Sequence, residues 1–174
     1  MIHSKLAPIA LSVILAASLA ACAKPEAAKL TVDTAKITDT VKTNAQAMVA
    51  ALNARDAEKA VAYDAPQTVG MFHGAPNVNN AAQDLATTKQ QVADPAFHLT
   101  VADETVDVAQ AGDMALYKAT YAYTGTDPKT KKPMTETGNW VIQYKVQGDG
   151  SWKVATSVVS DTGPAPTAAA PEKK

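Results

Sequence analysis

The spacing of apolar residues changes partway along the chain, from about four residues to two. Before Val92, apolar side chains recur at three- and four-residue intervals, as they do on one face of a helix. From Phe97 onward they alternate with polar ones, as in strands that bury one face. Helices followed by consecutive antiparallel strands predict an α+β domain over residues 37–161, in which one curved sheet packs against the helices.

Three helices are predicted in the first half of the chain. The first has Thr38 or Asp39 as its N-cap, and its apolar face is Val41, Ala45, Met48, Val49 and Leu52. A short second helix over AEKAVAY is capped by Asp56 and ended by Pro66. The third lies within NNAAQDLATTKQQV, where either leading asparagine can be the cap.

Four strands are predicted in the second half. The first runs from Phe97 to Val108 and contains an acidic DET that can form a bulge. The others begin near Met114, Met134 and Ser151, and turn residues separate them. Their expected inward faces are Tyr117, Ala119, Tyr121 and Tyr123; Trp140, Ile142, Tyr144 and Val146; and Trp152, Val154, Thr156 and Val158.

The chain has one cysteine, Cys22, and it follows an apolar run of signal-sequence length from Leu6 to Leu19. Leu19-Ala20-Ala21-Cys22 resembles the lipobox of bacterial lipoproteins, in which the thiol is acylated and the leader is cut just before it. The resemblance implies a signal peptide over residues 1–21, lipidation of Cys22 and the bilayer as a partner. The alternative is an ordinary secretory leader, with Cys22 left as a free thiol.

The sequence also predicts two segments without a fixed structure and a cellular location. Residues 22–36 are expected to be a flexible tether, and the Pro/Ala-rich residues 162–174 a disordered tail. Ala23 stands directly after the cysteine, where inner-membrane lipoproteins of Gram-negative bacteria carry aspartate. By that resemblance the protein is expected in the cell envelope, on the outer membrane facing the periplasm.

Charge and residue spacing argue against several classes of function. The formal net charge is −1, and Lys129, Lys131 and Lys132 fall in one polar loop, so no basic face for nucleic acid is expected. No histidine or cysteine pattern typical of a zinc site is present, so neither a metal nor another cofactor is expected.

Two segments resemble the SnoaL-like and ketosteroid isomerase-like proteins of the nuclear transport factor 2-like superfamily. They are ALNARDAEKAVAYDA and ETGNWVIQYKVQGDGSWKVATSVVSD, the second with a glycine before an aromatic strand and Trp-Lys opening the last strand. The resemblance implies a cone in which sheet and helices enclose a pocket, and a homodimer. The isomerases of this group use an aspartate base, but the segment APQTVGMFHGAP after Asp64 holds no carboxylate.

Candidate site residues are therefore few. His73 is the one titratable side chain in that segment and is the candidate general base, whereas His98 is expected to face solvent. Asp103, Glu104 and Asp107 are interpreted as a solvated rim. Aromatic side chains on inward-facing positions can line a pocket for an amphipathic ligand, and the candidates are Tyr63, His73, Tyr117, Tyr121 and Trp140.

The favoured function is non-catalytic binding of a small apolar or amphipathic molecule by a membrane-anchored envelope lipoprotein. One alternative is an enzyme of the isomerase, cyclase or hydratase type that uses His73 with a pocket tyrosine. Another is a protein-interaction or dimerisation module of an envelope complex.

Overall fold

A computed structural model describes residues 31–127 and 129–163. Three helices and five strands follow one another in the chain, with the first strand between the second and third helices. The helices are α1 (Thr34–Asn53), α2 (Ala57–Val61) and α3 (Ala81–Val92). The strands are β1 (Asp64–Phe72), β2 (His98–Val108), β3 (Met114–Thr126), β4 (Pro133–Val146) and β5 (Trp152–Asp161).

Each helix begins at a residue whose side chain accepts a hydrogen bond from the first turn. Asp56 and Asn80 cap α2 and α3, as predicted. The prediction for α1 was wrong, because its cap is Asp33, which accepts from the Lys36 amide, and Thr38 and Asp39 lie inside the helix. Pro66 does not end α2 either: the helix stops at Val61, and Pro66 lies in β1 at the edge of the sheet, where a missing amide is tolerated.

The five strands form one curved sheet in the order β1-β5-β4-β3-β2. β2 to β5 form the predicted antiparallel meander, and β1 joins the free edge of β5 in parallel. This confirms the predicted α+β fold class, with the helices packed against one face of the sheet.

Bulges interrupt the first and last strands of the meander. The predicted bulge in β2 is confirmed: pairing with β3 shifts between Ala102 and Thr105, and Asp103 has a φ of 55°. β5 has a bulge that the alternation did not predict, because Gln143 pairs with Thr156 but Tyr144 pairs with Val154. The extra residue changes which side chains point inward in the rest of the strand. Ser157 and Val159 therefore face the helices in place of Thr156 and Val158.

The core lies between α1 and the inner face of β3, β4 and β5. Its largest fully buried side chains are Tyr117, Tyr144, Ile142, Val41 and Val154. Burial of these apolar surfaces, at about 25 cal/mol per Å², is the main force that holds α1 on the sheet.

Arg55 joins the turn between α1 and α2 to the end of α3. Its guanidinium donates to the Val92 and Asp94 carbonyls at 2.9 and 2.6 Å and to the Pro95 carbonyl at 2.9 Å. At the end of α1, the Asn53 side chain exchanges two 2.8 Å hydrogen bonds with the backbone of Leu99 in β2. These contacts fix the helices around the space described next.

The predicted signal peptide, Cys22 and most of the predicted tether and tail lie outside the described residues. Among those that are described, no helix combines the length and hydropathy that crossing a membrane requires.

Candidate functional site

A cavity of about 960 Å³ lies between α3 and the inner face of the sheet. Its volume falls at the upper end of the range that ligand pockets occupy in proteins. α3 and the chain before it form one wall, and the inner face of β1, β3, β4 and β5 forms the other. Val78, which precedes α3, pairs with Gly70 of β1 through two backbone hydrogen bonds of 2.9 and 3.0 Å, and this places the connecting loop across the cavity.

Apolar and aromatic side chains cover most of the cavity wall. Met48, Leu52, Phe72, Val78, Phe97, Leu99, Tyr123, Trp140 and Val159 are among them. The Trp140 indole donates to the Ser157 hydroxyl at 2.8 Å, which fixes the ring against β5. Such a wall suits the apolar part of a ligand.

One group of polar side chains connects Tyr121, Glu136 and His73. The Tyr121 hydroxyl donates a hydrogen bond to Glu136 Oε1, and His73 Nε2 lies 3.1 Å from Glu136 Oε2. Burial of the phenol and its hydrogen bond to Glu136 raise the pKa of Tyr121 above its usual value, so the phenol keeps its proton at neutral pH. His73 Nδ1 lies 3.8 Å from Asp161 Oδ2, and its side chain is 34% exposed. His73 therefore lies at the edge of the cavity, with a carboxylate between it and the tyrosine.

A second polar group is formed by Asp64 at the start of β1 and Asp84 on α3. Both line the cavity. Burial, followed by the Asp84 carboxyl, raises the pKa of Asp64 to about 8, although the Lys153 ammonium opposes the shift. With this pKa, the Asp64 carboxyl is mostly protonated at neutral pH.

The two groups lie at different levels of the sheet. Asp64 pairs with Val154, which pairs with Tyr144 of β4, whereas Glu136 is eight positions away along the same strand. The cavity therefore has a polar group at either end of an aromatic and aliphatic wall.

The structure brings together three of the five pocket residues proposed from the sequence. His73, Tyr121 and Trp140 line the cavity. Tyr63 and Tyr117 are not among the described residues that do. Tyr117 is fully buried in the core, edge-on to Trp140, and its hydroxyl donates to Glu104 at 2.9 Å.

The remaining candidates lie outside the cavity. His98 is exposed, as expected. Asp103 and Asp107 are exposed too, and Asp107 pairs with Lys118 at 2.6 Å. Glu104 departs from the expected solvated rim, because it is half-buried and accepts hydrogen bonds from Tyr117 and Gln46.

Sequence reasoning missed Glu136, Asp64, Asp84 and Ser157. Glu136 could have been found, because it has the same strand parity as Trp140 and so belongs to the inward face. Asp64 and Asp84 are twenty positions apart and meet only through the packing of α3 on β1. Ser157 faces inward because of the unpredicted bulge.

The two acid groups do not form a metal site of the usual kind. Within residues 31–127 and 129–163, no three His, Cys, Asp or Glu side chains converge on one point. The polar chemistry that this cavity offers is proton donation, proton acceptance and negative charge.

Known proteins resemble this chain in fold, at low sequence identity. No sequence family and no curated protein matches it. A nuclear transport factor 2-like superfamily protein from Salmonella enterica superposes with a TM-score of 0.65 at 11% identity, over 78% of this chain and 97% of that one. A ketosteroid isomerase-like protein from Erwinia carotovora has a TM-score of 0.61 at 17% identity, over 73% and 97%.

A nuclear transport factor 2-like protein of unknown function from Pseudomonas putida gives a TM-score of 0.62 at 18% identity, over 73% of this chain and 87% of that one. At these identities the likeness concerns the fold, on which many different activities occur. The chain has the nuclear transport factor 2-like α+β fold, which is the fold implied by the resemblance of its two sequence segments.

Proposed function

We propose that this protein binds a small apolar or amphipathic molecule in the cavity between α3 and the sheet. The observation that carries the proposal is the cavity itself, about 960 Å³ with aromatic and aliphatic walls. An apolar ligand would gain the burial free energy of its surface, and the polar groups at the two ends would orient it.

Binding can be measured with N-phenyl-1-naphthylamine, a neutral dye whose fluorescence rises in apolar sites. The full chain carrying Cys22→Ser cannot be acylated, which keeps detergent out of the titration. Adjacent residues of β5 supply the matched variants, because Val159 lines the cavity and Val158 is not among the described residues that do. Val159→Phe should weaken binding about fivefold or more, and Val158→Phe should leave it unchanged. Equal affinity in the two variants, or no binding by the parent chain, would contradict the proposal.

We further propose that the domain is held at the outer membrane, facing the periplasm, by acyl chains on Cys22. The lipobox-like sequence and its small residues support this. Each buried methylene of an acyl chain contributes roughly 0.8 kcal/mol, so two or three chains make a lasting anchor. Intact-mass analysis of protein extracted from membranes should give an N-terminus at Cys22 with added acyl mass. An unmodified Cys22 at the mature N-terminus would exclude the anchor.

A second candidate function is proton-transfer catalysis on the bound molecule. It is favoured by the contact of Tyr121 and His73 with the two oxygens of Glu136 at the cavity edge, because a proton can pass between groups that share a carboxylate. This is the chemistry of an isomerase, cyclase or hydratase.

Deuterium uptake by 2-tetralone in D₂O, followed by NMR, tests this candidate without knowledge of the natural substrate. The chain should accelerate exchange at the carbons beside the carbonyl, and His73→Gln should lower the acceleration by about 100-fold. His98→Gln, which changes an exposed histidine outside the cavity, is the control. A rate equal to that of buffer, or one that His73→Gln leaves unchanged, would exclude this chemistry for the probe.

A further inference from the structure

Most of the charged side chains that line the cavity are acidic. Three carboxyl groups line it, those of Asp64, Asp84 and Glu136. No lysine or arginine is among its described lining residues, and the basic group that is present, His73, lies against Glu136. The Asp64–Asp84 end therefore has no cation facing the cavity.

Lys153 is the cation that acts on this end, from outside the cavity wall. Its ammonium donates to the Ala62 carbonyl at 2.6 Å in an exposed contact, and its attraction does not offset the burial of Asp64 and the repulsion from Asp84. The pair thus keeps an excess of negative charge that an incoming cation would neutralise.

One buried oxygen atom at this end, Asp64 Oδ2, lacks a hydrogen-bond partner among the described residues, and Asp64 lines the cavity. A buried polar atom without a partner costs roughly 1–3 kcal/mol, which a donor supplied by a ligand would recover.

We propose that the ligand is a cationic amphipath whose ammonium group binds at Asp64 and Asp84 while its apolar body lies along Phe97 and Trp140. This rests on the proposed binding function and specifies its ligand class. An ammonium group offers only donors, which suits an end where acceptors are in excess. The aromatic rings supply the apolar surface against which the body of the ligand packs.

Three naphthalene probes that share one apolar body and differ in head group test the charge preference. They are 1-naphthylmethylamine, 1-naphthylmethanol and 1-naphthylacetate, titrated calorimetrically into the full chain carrying Cys22→Ser at pH 7. The amine should bind about tenfold more tightly than the alcohol, and the carboxylate more weakly than either.

Matched variants locate the charge that is responsible. Asp64→Asn/Asp84→Asn should abolish the preference for the amine while the alcohol still binds, which shows that the cavity is intact. Asp103→Asn removes one negative charge on β2, outside the cavity, as the double variant does within it at pH 7, and should leave the preference unchanged. Glu136→Gln removes the carboxylate at the other end of the cavity and should leave most of the preference for the amine.

The outcomes separate this inference from the proposed function. If alcohol and amine bind equally, or the alcohol binds better, the cationic preference is wrong and binding in the cavity stands. If Glu136→Gln abolishes the preference and the Asp64/Asp84 variant does not, the assignment to these two residues is wrong. If none of the three probes binds, the inference fails together with the proposed function.

Discussion

Gly138 determines how Tyr121 reaches Glu136. The two residues pair across β3 and β4, and the tyrosine ring lies over the glycine on its way to the carboxylate. A Cβ atom at position 138 would lie 2.6 Å from Tyr121 Cε1 and would collide with the Ser160 carbonyl oxygen. The absence of a side chain at this position therefore permits the polar contact at the cavity edge.

Gly138→Ala should destabilise the fold by about 2–3 kcal/mol, because the ring and the backbone of β5 must both move. Urea denaturation measures the change. Gly148→Ala is the matched control, since a Cβ at that turn meets no atom within 4 Å, and its effect should stay within about 0.5 kcal/mol. Equal stability of the two variants would show that Tyr121 does not need the space above Gly138.

Some residues of the site can be identified from the sequence alone, and others cannot. Tyr121 and Trp140 were predicted to face inward because strand alternation fixes the face of a side chain once the strand is identified. Alternation also assigns Glu136 to the inward face. Asp64 and Asp84 could not be paired in this way, because no local pattern relates a strand to a helix that follows it after a loop.

At the scale of elements, Arg55 holds the turn between α1 and α2 against the end of α3. Its planar guanidinium reaches three carbonyl oxygens on different residues, and its own backbone has a φ of 63°. A lysine ammonium is a single point of charge that cannot reproduce this fork.

Arg55→Lys should lower the free energy of unfolding by about 1–2 kcal/mol, because it keeps the backbone strain and loses at least one hydrogen bond. Lys59→Arg changes a lysine that is 79% exposed in a surface ion pair, and it should shift stability by less than about 0.5 kcal/mol. Chemical denaturation of both variants decides whether the guanidinium geometry matters: similar small losses would mean that it does not.

The contact between β1 and α3 predicts a dependence of stability on pH. The pKa of Asp64 is higher in the folded state than in the unfolded chain, because the carboxyl is buried and faces Asp84, with Lys153 on β5 and Tyr144 on β4. The folded state therefore holds a proton that the unfolded chain releases above about pH 4. Asp64 stabilises the fold most below that pH, and its contribution declines as the pH rises to about 8.

Asp64→Asn should remove this decline. Between pH 5 and pH 8 the variant should gain roughly 1–3 kcal/mol relative to the parent chain, an amount reduced by the solvent that reaches the half-buried carboxyl. Urea titrations at several pH values measure the difference, with Asp103→Asn as the control. A difference between variant and parent that does not change with pH would refute the raised pKa of Asp64.

The order of the three helices and of strands β2 to β5 could be predicted because apolar spacing reports local structure directly. The starts of α2 and α3 and the bulge in β2 were predicted from Asp56, the paired asparagines and the acidic DET. The bulge in β5 was not, since SWKVATSVVSD reads as an uninterrupted alternation and its register is set by pairing with β4. The start of α1 was misplaced because its first turn, Thr34 to Ile37, lies before the apolar spacing that begins at Val41.

At the scale of the whole molecule, the fold follows from the sequence more closely than the function does. A helical half and an alternating half leave few ways to bury both apolar faces, and the nuclear transport factor 2-like arrangement is one of them. The cavity arises from what α3 leaves uncovered, which depends on side-chain volumes summed over several elements. The anchor at Cys22 concerns residues outside those described and stays a prediction.

A crystal structure of the full chain purified from membranes, determined without added ligand, tests small-molecule binding most directly. It should show electron density for a co-purified molecule between α3 and the inner face of the sheet, with a polar end at Asp64 and Asp84. An α3 packed directly on Trp140 and Tyr121, with the space between them filled by protein side chains, would contradict binding in this cavity.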